Sequence, residues 1–110
     1  MQKLSLEALA HEQLKIAKQS TNGRSSTTVY GGHEHSLRQT LIALVAGTAL
    51  GKHESPGEAT VHILFGRVRL DAGEDSWDGR TGDLIIVPPA RHDLLAVEDA
   101  VVLLTVAKKL

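Results

Sequence analysis

Three stretches of this chain are apolar without alternating: Leu41 to Ala46, Leu84 to Val87, and Val101 to Val106, the last broken only by Thr105. A strand made from such a run is apolar on both faces, so both faces need cover. Helices flanking a parallel sheet usually supply it, yet no helical pattern lies between the runs. After Tyr30, turn residues instead interrupt short apolar segments every eight to twelve positions, the pattern of an all-β sandwich or barrel. The expected strands are 37 to 46, 48 to 53, 58 to 65, 67 to 71, 75 to 78, 83 to 88, 93 to 97 and 100 to 107. One face of each two-sided strand would line the sandwich interior. The other would lie under an N-terminal helix or a second copy of the chain, so the pattern predicts a homodimer.

The helix is legible before Tyr30. Leu6, Leu9, Ala10, Leu14 and Ala17 recur at helical spacing, with Glu7, His11, Glu12, Lys15 and Lys18 on the other face. An amphipathic helix over Leu4 to Lys18 is predicted, with Ser5 as its N-cap. The Ser/Thr/Asn/Gly-rich stretch from Gln19 to Thr28 predicts a loop. Residues 1–28 would then be a helix and loop packed on a barrel of residues 29–110.

Composition narrows the function. Twelve basic and thirteen acidic side chains leave a net charge of −1 and no electrostatic footprint for DNA, RNA or an anionic membrane. Tyr30, Phe65 and Trp77, the only aromatics, do not form a base-stacking platform. The absence of cysteine excludes disulfides, thiolate catalysis and cysteine-bound zinc. Without an apolar run of eighteen residues or a signal-like N-terminus, a cytoplasmic protein is expected. No nucleophile elbow, phosphate loop or dinucleotide fingerprint is present.

Two clusters of punctuation remain. Gly47, five residues, His53, one residue, Ser55, and then Gly66 form the first. Gly82, five residues and Pro88-Pro89-Ala90-Arg91-His92 form the second, with fifteen residues between Gly66 and Gly82. This pattern resembles the two motifs of the cupin superfamily, and in detail a group of small single-domain bacterial cupins of the RmlC-like, cupin 2 conserved barrel type. The resemblance spans residues 37 to 107. It implies an antiparallel β-sandwich or jelly-roll barrel carrying one N-terminal α-helix.

The same resemblance implies a divalent transition metal held by three histidines and one carboxylate inside the barrel, with open positions for substrate. Residue by residue, the ligand positions fall on His53, Ser55, Ala59 and His92. Two of the four have lost their donor: Ser55 offers a neutral hydroxyl, and Ala59 offers nothing. Ala90 also stands in a glycine position and Ala96 where an asparagine often follows. Glu58 adjoins the lost glutamate, but strand alternation turns it to the opposite face unless a bulge intervenes. Asp93 is placed to orient His92, although adjacent residues more often diverge. His62 is expected on the outer face, and His33-Glu34-His35 in a solvated loop after Gly31-Gly32.

The expected function is small-molecule binding by a cupin with a degenerate metal site. The inward residues Ala59, Val61 and Ile63 would form an apolar pocket, with His53, Ser55 and His92 as its polar points. The alternative is a metal-dependent dioxygenase or isomerase that uses His53 and His92, a replacement ligand and a weakly held divalent ion.

Overall fold

The computed structural model describes residues 1–52 and 57–108. Its elements in chain order are α1 (Leu6–Gln19), β1 (Arg24–Tyr30), β2 (Leu37–Leu44), β3 (Glu58–Phe65), β4 (Arg67–Ala72), β5 (Asp75–Arg80), β6 (Leu84–Ile86), β7 (Asp93–Ala96) and β8 (Ala100–Ala107). The three two-sided runs, in β2, β6 and β8, all enter one sheet of order β1-β2-β8-β3-β6. A smaller sheet of order β5-β4-β7 faces it. Every strand pair is antiparallel.

Period-two alternation sorts the side chains between two cores. Ile42, Leu44, Val61, Ile63, Val102 and Val106 of the large sheet meet Val68, Leu70, Leu94 and Ala96 of the small one. On the opposite face of the large sheet, Leu41, Ala43, Val101 and Leu103 pack against α1. The helix buries Ala10 and Ala17, and small side chains at these two positions let its backbone approach the strands closely. Ser5 caps it, its Oγ accepting from the Ala8 amide at 3.2 Å. Ser25 Oγ donates to Gln13 Oε1, and Lys18 Nζ lies 3.7 Å from Asp99, so the helix is also tied to its floor by polar contacts.

Gly66 turns the chain from β3 into β4 with a φ of +89°, and a Cβ there would stand 2.0 Å from the Asp99 carbonyl oxygen. Only glycine meets both demands. Its amide donates to Thr81 Oγ1 at 2.9 Å, while the Gly82 amide donates to the Ile63 carbonyl at 2.7 Å, so the two glycines of the sequence motifs close one turn region together.

Two expectations need correction. Residues 24–30, read mostly as loop, form β1, which pairs with β2 along its length. Serine and threonine suggested a loop, but they alternate between Ser25, Thr27 and Val29, half-buried under α1, and the exposed Arg24, Ser26 and Thr28. Residues 48–53 were expected as a strand. Within their described part, Ala49 forms a single bridge to Leu95, and Gly51 adopts a φ of +95°. Among the described residues no helix is long and apolar enough to cross a membrane.

Candidate functional site

His92 stands just before β7, where Pro88 and Pro89 have ended ladder pairing after β6. It is 6% exposed and, among the described residues, is the one polar side chain buried in an apolar interior. Its Nδ1 lies 2.9 Å from the Ala90 carbonyl oxygen. A carbonyl can only accept, so Nδ1 is the donor in this contact. The ring borders a cavity of about 20 Å³ between the sheets, shared with Ile42, Leu50, Val61, Leu70 and Leu104. That space suits about one water molecule.

The segment leading to the first motif's histidine is held against β7. Leu50 N donates to Leu94 O at 3.0 Å, and Gly47 N donates to Ala96 O at 2.8 Å. Asp93 Oδ1 accepts from the amides of Gly51 and Leu94, both at 2.8 Å. Asp93 therefore holds backbone rather than the His92 ring, whose Nδ1 is turned to Ala90. It ties the chain two residues before His53 to the chain one residue after His92.

His53 and Ser55 lie outside the described residues. Ala59 is buried at 7% exposure, opposite Val106 in an unbulged register, so a methyl occupies the position of the lost glutamate. Val61 borders the His92 cavity. Ile63 shares its strand face but packs at the Gly79 end, where its Cδ1 lies 2.7 Å from the place a Cβ on Gly79 would take. Glu58 is exposed and pairs with Ala107 on the outward-facing alternation of β3. His62 lies on that same outer face, between Leu103 and Leu84. His33 and His35 are exposed in a turn, and His35 meets Tyr30 edge to face at 5.3 Å. Among the described residues no three His, Cys, Asp or Glu side chains are grouped to hold a metal ion.

A second concavity adjoins the first. It measures about 380 Å³ and is bordered by Asn22, Arg24, Ser25 and Ser26 together with Ile42 and Leu50. Ile42 and Leu50 therefore separate an outer cleft from the His92 cavity. Arg24 Nη1 donates to the carbonyls of Ala49 and Leu50, at 3.3 Å each, and so fixes Leu50 from the β1 side. Sequence reasoning missed Arg24, Ser26 and Leu50. The alternation of Ser25 to Val29 was the available signal for β1, whereas nothing local marked Leu50.

A conserved protein of unknown function from Streptococcus pyogenes is 30% identical to this chain, covering 83% of it and 79% of that protein, with a TM-score of 0.73. The cupin superfamily protein from Desulfitobacterium hafniense is similar in fold, at TM-score 0.71 and 16% identity over 78% of each chain. The cupin 2 conserved barrel domain protein from Salinispora arenicola covers 96% of this chain and 87% of its own at TM-score 0.68 and 15% identity. The chain has the fold of these cupin proteins. No protein-family model matches the sequence, and no curated protein does either. Of the four positions that the resemblance assigns to a metal, the described residues include His92, an imidazole, and Ala59, a methyl, while Glu58 and His62 face outward.

Proposed function

We propose that this chain is a cupin that binds a small organic molecule at the His92 end of its barrel and does so without a resident metal ion. The observation that carries the reading is the pairing of a buried, carbonyl-oriented His92 with the buried methyl of Ala59. One directional hydrogen-bonding group set in an aliphatic wall is the lining of a recognition site. A Lewis-acid centre needs several converging donors. The 20 Å³ cavity is too small for an organic ligand, so binding also draws on the adjoining cleft beyond Ile42 and Leu50.

The test is elemental analysis of protein purified without a histidine tag. The expected result is less than stoichiometric iron, manganese, nickel and zinc, with an unchanged melting temperature when each ion is added. A ligand that binds only the folded state must raise that temperature. Stoichiometric metal that disappears in a His53→Ala, His92→Ala double variant would overturn the metal-free reading and favour the metalloenzyme alternative.

A further inference from the structure

The outer cleft has a chemical bias of its own. Among the described residues its polar side chains come from one short piece of chain, Asn22 to Ser26, and none of them is acidic. Asn22 Oδ1 is engaged by Ser20 Oγ at 2.6 Å and by the Arg24 amide at 3.2 Å, so the amide's remaining polar edge is its NH₂ donor. Arg24 gives Nη1 to two neutral carbonyls, and among the described residues no carboxylate lies within ion-pair distance of it. No described carboxylate compensates its charge, and its guanidinium retains further N–H donors. Ser26 lies opposite Ile42 in the β1–β2 register, on the same sheet face, so its hydroxyl stands beside the apolar floor. The volume, about 380 Å³, falls within the range of small-molecule pockets.

Donors on one wall, a positive charge paired with no described carboxylate and an aliphatic floor are complementary to a carboxylate on an apolar stem. We propose that the cleft at the start of β1 is the outer subsite for this cupin's ligand, that Arg24, Asn22 and Ser26 bind its carboxylate, and that its apolar stem crosses Ile42 and Leu50 toward His92. The proposal rests on the barrel-ligand reading above and names the class: a small monocarboxylate with an aliphatic or aromatic stem. Leu50 is the selective element, because its backbone is clamped between Arg24 and Leu94 while its side chain divides cleft from cavity.

Isotope-labelled protein titrated with butyrate, isovalerate, hexanoate and benzoate, and separately with hexanamide, tests this by NMR. At least one carboxylate is expected to move the Arg24 side-chain NH, the Ser26 amide and the methyls of Ile42 and Leu50. Hexanamide should bind about tenfold more weakly, as should the best carboxylate to Arg24→Gln. Ser26→Ala, which leaves the Arg24 clamp intact, should weaken it about threefold or more. Arg69→Gln, on the far sheet, should change nothing. Absence of shifts with all four acids, equal binding of hexanamide, or full affinity in Arg24→Gln would overturn the subsite. The barrel is read independently: shifts at Arg24 with the His92 ring and Val61 methyls unmoved would leave the subsite standing and overturn the barrel-ligand reading.

Discussion

The outer face of the five-stranded sheet is closed on one flank and bare on the other. On β2, Leu41 and Ala43 are fully buried beneath α1, whereas on β6, Leu84 and Ile86 are 58% and 70% exposed. Both segments come from two-sided apolar runs that are hard to tell apart in sequence. The difference is reach: a helix of fourteen residues, about 21 Å long by its rise per residue, lies along β1 and β2 and leaves the β6 edge uncovered. The pattern thus reports that a face calls for cover without saying what supplies it.

The comparison breaks most visibly at the covered flank. Leu41→Ala, which empties a site packed from both sides, should cost about 2–5 kcal/mol in denaturant unfolding. A cost near zero would mean that α1 does not seal this face. A smaller effect, about 1 kcal/mol, is expected for Ser5→Ala, which removes the acceptor for the Ala8 amide and frays the helix start. Unchanged helicity and stability would show that the cap is dispensable once the helix is docked. The smallest change in chain stability, within about 0.5 kcal/mol, should follow Ile86→Lys on the bare flank when measured on dilute monomer. Its informative readout is mass. The homodimer expected from the sequence would place a second copy over this strip, so light scattering should give a dimer for the native chain and a monomer for the variant. A native chain that is monomeric at micromolar concentration would end that expectation.

Legibility followed the range of the interactions involved. Strand positions 58 to 65 and 100 to 107 were readable to the residue because turn residues such as Gly66 that bound short apolar runs act locally. The helix and its Ser5 cap were readable for the same reason. β1 was not, because a serine- and threonine-rich strand resembles a loop until β2 is beside it. At the site, alternation correctly placed Ala59 and Val61 on the inner face and left Glu58 and His62 on the outer one. It had no means to show that Ile63 packs at the Gly79 end rather than beside His92, or that Leu50 and not a strand residue divides the interior from the cleft.

By itself, then, the sequence determined the helix, most of the strands and the glycine turns, all of which are properties of single residues or near neighbours. Only the tertiary structure decided which apolar flank receives the helix, that Asp93 holds the Gly51 amide rather than the His92 ring, and that Arg24 and Leu50 meet. Those outcomes join residues 26 to 42 positions apart in the chain, and their geometry is set when the sheets pair and pack.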